Sequence, residues 1–117
     1  MSAQITRVFP RSLAAGLVFV ALLVVGSAKA ANVTVTIDNF TFKPQQVTVK
    51  VGDTVTWINH DDIPHTVTSK TMIFRSKAMD TDDKFSFTFA TPGTFMYFCS
   101  LHPHMTGSIV VEAAASQ

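Results

Sequence analysis

The chain is 117 residues long and 47% hydrophobic, with nine Lys and Arg against eight Asp and Glu and a formal net charge of +1; that length accommodates one small domain. A single Cys among four His and five Met excludes an intrachain disulfide scaffold and a four-Cys zinc module. The near-zero charge excludes a strongly basic nucleic-acid binder.

At the N-terminus, Arg7 and Arg11 precede an apolar run from Leu13 to Val25 and the small-residue site Ala28-Lys29-Ala30, the pattern of a secretory signal. The uncharged stretch from Ser12 to Ala28 is 17 residues, short of the ~20 that span a bilayer. Residues 1–30 are therefore read as a signal peptide cleaved after about Ala30, with a retained anchor as the alternative. The 87 residues from Ala31 to Gln117 hold six basic and eight acidic side chains, a net charge of −2, and no membrane span. Export to the periplasm puts this domain in an oxidising compartment. A lone Cys there must be buried, paired with another chain, or bound to something.

Period-two alternation dominates the exported part. Val33, Val35 and Ile37 come first, then Val47, Val49 and Val51, and after Gly52-Asp53 come Val55 and Trp57; each run reads as a strand with one buried face. Phe85, Phe87 and Phe89 repeat the pattern. Beyond Pro92-Gly93, Phe95 and Tyr97 lead in step to Cys99, which turns the sulfur inward. Ser108 to Glu112 forms a final strand. The interval from Lys70 to Asp83 lacks sustained alternation and accommodates either a short strand around Ile73 or a helical turn. No run of ten or more residues here has helix periodicity. About seven short strands in one small domain predict an all-β, two-sheet sandwich.

Cys99, His102 and Met105 stand at C-x2-H-x2-M directly after a strand, and His65 follows Pro64 beyond an earlier one. Thiolate and thioether sulfur favour copper(I), whereas imidazole serves both copper oxidation states, so the set suits an ion held in both. One thiolate with neutral ligands leaves a single positive charge around copper(II) and none around copper(I). Neither state forces a large charge into an apolar setting. Two imidazoles and a thiolate in a plane, with a weak axial thioether, make an electron-transfer copper site. Cys99, His102 and Met105 are expected from one short loop and His65 from another, both held by a rigid sandwich.

Read singly, Cys99 would be a buried inert thiol and Met105 a core filler; the four residues together favour a metal. His60 and His104 read as solvated side chains. Trp57 and the phenylalanines read as core, not a nucleotide platform, and no basic track exists for nucleic acid. Asp61, Asp62, Asp80, Asp82 and Asp83 read as solvated loop charges.

The stretches Asn39-Phe40-Thr41-Phe42, Val51-Gly52-Asp53-Thr54-Val55-Thr56-Trp57, Pro64-His65, Pro92-Gly93-Thr94-Phe95 and Cys99 to Met105 together resemble the cupredoxins, in their amicyanin and plastocyanin branch, over essentially all of residues 31–117. The resemblance implies a Greek-key sandwich holding one type 1 (blue) copper ion, with His65, Cys99 and His102 as equatorial ligands and Met105 as the axial one. It further implies a monomeric one-electron carrier, not an enzyme. His102 is then the electron port, with Pro103 in the apolar patch around it. Transient protein redox partners (a dehydrogenase, a cytochrome or an oxidase) would dock there.

Two departures carry expectations. The Asn that often follows the first histidine is Thr66 here, so the hydrogen bond tying the ligand loops should be weaker or run through the Thr66 hydroxyl. Amicyanin has proline before its loop histidine, whereas Leu101 keeps an N–H, expected to point at the Cys99 sulfur. Among competing functions, a trinuclear copper oxidase would place histidines on both sides of the cysteine, where Phe98 and Ser100 stand, and a dinuclear site needs two cysteines. Copper storage or delivery is the alternative reading, and a structural zinc is disfavoured by the poor match of Met to zinc.

Overall fold

The computed structural model describes residues 29–114, so the expected signal segment up to Ala28 lies outside the described residues. Eight strands follow in order: β1 (Asn32–Asp38), β2 (Thr41–Lys43), β3 (Gln46–Lys50), β4 (Thr54–Asn59), β5 (Thr68–Ser69), β6 (Lys84–Thr88), β7 (Gly93–Cys99) and β8 (His102–Glu112). They form two four-stranded sheets, ordered β2-β1-β4-β6 and β3-β8-β7-β5, the expected all-β sandwich. Both sheets are mixed: β1 runs parallel to β4 and β3 parallel to β8, while the other pairs are antiparallel. Among the described residues no helix is long and apolar enough to cross a membrane.

The alternating residues fill the space between the sheets. Val35 and Ile37 of β1, Val55 and Trp57 of β4, Tyr97 and Cys99 of β7 and Ile109 of β8 are all fully buried. Cys99 thus points inward, as its parity with Phe95 and Tyr97 requires.

The interval from Lys70 to Asp83 forms neither a strand at Ile73 nor a helical turn. It is an irregular loop anchored at several places, among them Ser69 N donating to Phe74 O at 2.9 Å, Ser76 N donating to Val67 O at 2.8 Å, and the bridges of Thr68 with Arg75 and His65 with Met79. Phe74 and Met79 turn into the core while Met72 and Ile73 stay exposed, which explains the missing alternation.

The turn between β3 and β4 is closed by a carboxylate. Asp53 accepts hydrogen bonds from the Lys50 and Ala31 amides, both at 2.8 Å, fastening the start of β1 to the turn. These two amides, against an opposing effect of burial, hold the Asp53 carboxyl below its ordinary range. A carboxyl with a folded pKa below its unfolded value stabilises the fold fully above the unfolded pKa, and this stabilisation is lost as pH falls through the folded pKa. Asp53→Asn should therefore be less stable than the parent at pH 7, and the gap should narrow below about pH 4. Urea midpoints measured across that range check both statements.

Candidate metal centre

The first histidine is set by a buried asparagine and a two-way backbone bridge. Asn59, at the end of β4 and fully buried, donates its Nδ2 to the Ile63 and Met79 carbonyls, both at 2.9 Å, and accepts the Asp61 amide at 2.9 Å. That clamp fixes the loop leading to Pro64-His65. His65 N then donates to Met79 O at 3.2 Å and Met79 N to His65 O at 2.8 Å. The imidazole is completely buried, so its orientation is dictated by partners, not by solvent.

Cys99 closes β7, and Ser100-Leu101 make a two-residue turn straight into β8, where Cys99 pairs with His102. The register jumps from Phe98 opposite Thr106 to Cys99 opposite His102, so Pro103, His104 and Met105 form a bulge on the longer side. This corrects the expected single loop: His102 and Met105 lie on an irregular strand, held by ladder bonds at either end. Met105 is buried and His102 partly buried.

From these two positions three donor atoms converge. Cys99 Sγ lies 3.7 Å from His65 Nδ1 and 3.7 Å from His102 Nδ1, and the candidate donor atoms of the three residues all lie within 4.8 Å of one another. The two imidazole centroids are 5.0 Å apart. Of the four residues singled out in the sequence, His65, Cys99 and His102 are together; Met105 follows on the same bulge, packed in the core. His60 and His104 are exposed and outside the cluster.

The Thr66 departure is resolved in favour of the hydroxyl. Thr66 Oγ1 accepts the Ser100 amide at 2.7 Å and shares a hydrogen bond with Ser100 Oγ at 2.7 Å, tying the His65 segment to the Cys99 turn. The Thr66 amide donates to Cys99 Sγ at 3.3 Å. The expectation for Leu101 fails: among the described residues no hydrogen bond runs from its amide to the sulfur, and the tight turn carries Leu101 to the surface, 51% exposed. An amide from the opposite loop therefore supplies the donor, which withdraws charge from the thiolate.

Two residues of the site escaped sequence reading. Asp61 is not a solvated loop charge; its side chain is 11% exposed and its Oδ2 lies 2.7 Å from His65 Nε2. Desolvation pushes its carboxyl up, but the Phe40 and Asn39 amides and then the His65 ring outweigh this and leave it below its ordinary range. Phe40, from the turn between β1 and β2, stands edge-on to both imidazoles, with centroid distances of 5.4 Å to His65 and 5.1 Å to His102. Its sequence signal was its place in the Asn39-Phe40-Thr41-Phe42 stretch, which carried the resemblance but no role for the ring.

A sandwich of two mixed sheets carrying a His, Cys, His cluster at one end has the fold of a cupredoxin and a metal-binding cluster typical of type 1 copper electron-transfer proteins. The chain belongs to that family, matching the cupredoxin-like domain over residues 12–111. It is 38% identical over 85 residues to amicyanin of Paracoccus versutus, covering 68% of this chain and 64% of that protein's length. It is 36% identical over 106 residues to amicyanin-alpha of Methylorubrum extorquens, covering 86% of each. A solved structure of a reduced amicyanin variant superposes with a TM-score of 0.66 at 36% identity, over 69% of this chain and 82% of the other. The cluster is consistent with a single type 1 copper ion. The donor chemistry fits: one soft sulfur and two imidazole nitrogens face one point, and the carboxylate on His65 Nε2 leaves Nδ1 free to ligate.

Proposed function

We propose that the chain is an exported one-electron carrier holding one type 1 copper ion through His65, Cys99 and His102, with Met105 as axial ligand. The observation that carries this reading is the convergence of Cys99 Sγ and the two Nδ1 atoms from segments fastened to the sandwich at both ends. Copper, when bound, supplies a reversible change of one electron. The chain's own residues keep the surroundings constant through that change. The Thr66 amide on the sulfur and the Asp61 carboxylate on the His65 ring keep two donors in place, and the Thr66 to Ser100 tie keeps the two segments from separating. Such preorganisation keeps the structural rearrangement on electron transfer small.

His102 is the electron port in this reading, because it alone of the three clustered donors is partly exposed, with half-exposed Phe40 against its ring and half-exposed Leu101 beside it in the turn. Partners would be a periplasmic dehydrogenase, cytochrome or oxidase, docking transiently on a monomer through less than about 1,200 Å² of interface. Residues 1–30 act as a signal peptide and 31–117 as the copper domain. Cleavage after Ala30 is supported by the Ala31 nitrogen, which lies 2.8 Å from Asp53 Oδ1, a position that welcomes the new α-ammonium. The amicyanin relatives support a carrier without substrate chemistry of its own.

The test is to load the protein and compare electron self-exchange with copper exchange to a chelator. Rapid self-exchange with slow copper release is expected. Fast copper release with slow self-exchange would instead identify a copper storage or delivery protein.

A further inference from the structure

We propose that Asp61 is a positioning residue that couples the turn between β1 and β2 to the metal centre, one carboxylate fixing the His65 ring while seating Phe40 against both site histidines. The inference rests on the copper reading above for its consequence, but not for its geometry. Asp61 accepts the Asn39 amide at 2.6 Å on Oδ1 and the Phe40 amide at 2.9 Å on Oδ2, and Oδ2 also meets His65 Nε2 at 2.7 Å. Asn39 and Phe40, the two central residues of the β1–β2 hairpin, both have left-handed backbones, φ 51° and 57°; asparagine adopts this conformation readily, a bulky residue such as Phe40 seldom does. Successive amides in such a turn form an anion-binding concavity, and the Asp61 carboxylate fills it.

Asp61 is itself fixed independently of these contacts. Its amide donates to Asn59 Oδ1 at 2.9 Å and its carbonyl accepts Thr81 Oγ1 at 2.6 Å. The carboxylate is thus a fixed post that meets both the His65 ring and the turn between β1 and β2. An ionised carboxylate only accepts hydrogen bonds, so His65 Nε2 carries the proton and, in the neutral ring, Nδ1 presents its lone pair toward Cys99. The same post sets where the Phe40 backbone lies, and hence the edge-on contacts of its ring with His65 and His102. A negative partner on a ligating imidazole strengthens it as a donor, which favours the more highly charged metal state.

The experiment uses Asp61→Asn and Asp61→Ala in the exported domain, each read without and with copper. In the metal-free parent, long-range 1H–15N spectra should show His65 as the Nε2–H tautomer. Asp61→Ala should mix the tautomers and shift the Phe40 and His102 ring resonances together. Asp61→Asn keeps one acceptor oxygen, enough for the Phe40 amide and His65 Nε2 that share Oδ2, but loses the charge and the bond to the Asn39 amide, and its copper form should have a higher reduction potential than the parent. A metal-free parent with His65 protonated on Nδ1 alone overturns the proposal. So do variants in which the tautomer, the Phe40 resonances and the potential all stay at parental values. If Asp61→Ala does not fold, the parental tautomer and the Asp61→Asn potential decide. A parent that binds no copper would sink the electron-carrier reading while leaving the metal-free tautomer and Phe40 measurements to judge the positioning role of Asp61.

Discussion

Cys99→Ser, given copper(II), is expected to show none of the intense visible absorption that the parent acquires, while remaining folded. Cys99 is completely buried at the end of β7, and the replacement is smaller by a sulfur-to-oxygen change, so packing is nearly conserved. The oxygen keeps the role of acceptor for the Thr66 amide, which now donates to sulfur at 3.3 Å. What disappears is the thiolate. A serine hydroxyl is not ionised near neutral pH, and a neutral hard oxygen offers copper neither negative charge nor a filled sulfur orbital from which charge transfer can occur. Since Cys99 is the chain's single cysteine, no other residue can replace it. Circular dichroism should match the parent and the visible band should be absent. A band of parental intensity in the variant would mean that the chromophore does not involve Cys99, and the ligand assignment would fall with it.

The features legible in the sequence were those with a local period. Alternation placed Val35, Ile37, Trp57, Tyr97 and Cys99 inward because a strand has two faces whichever neighbour it pairs with. For the same reason alternation was silent on pairing: nothing in Val33 to Ile37 distinguishes a parallel partner in β4 from an antiparallel one. The donor set was legible because Cys99 and His102 are close in sequence, and residue softness told which metal they suit. Asp61 was illegible because its three partners are Asn39 and Phe40, 22 and 21 residues earlier, and a histidine ring four residues later. A loop carboxylate reads as solvated until the chain that surrounds it is folded. The bulge at Pro103 to Met105 was likewise invisible, since it exists only in the register of β7 against β8.

Phe74→Ala is expected to cost about 3–5 kcal/mol of folding stability, a large share of the ~5–15 kcal/mol that holds a domain of this size together. Phe74 belongs to no strand, yet it is 4% exposed. Its ring meets Trp57 of β4 at 5.6 Å, Phe87 of β6 at 5.0 Å, Phe89 at 5.6 Å and Tyr97 of β7 at 6.3 Å between centroids. It therefore touches both sheets at once, and removing it opens a cavity between rings whose backbones cannot close in to fill it. The neighbouring Ile73 is 48% exposed, so Ile73→Ala should fall within about 0.5 kcal/mol of the parent. Guanidinium midpoints of the metal-free forms compare the two directly. Metal-free protein is the right material, because a ligand that binds only the folded state would mask part of the loss. The damage should also reach the metal centre, since the same loop runs on to Met79, whose backbone holds His65 in both directions. Faster copper release from Phe74→Ala than from Ile73→Ala is the corresponding kinetic result. Equal stability losses in the two variants would show that the loop is held by its backbone bonds and not by the buried ring.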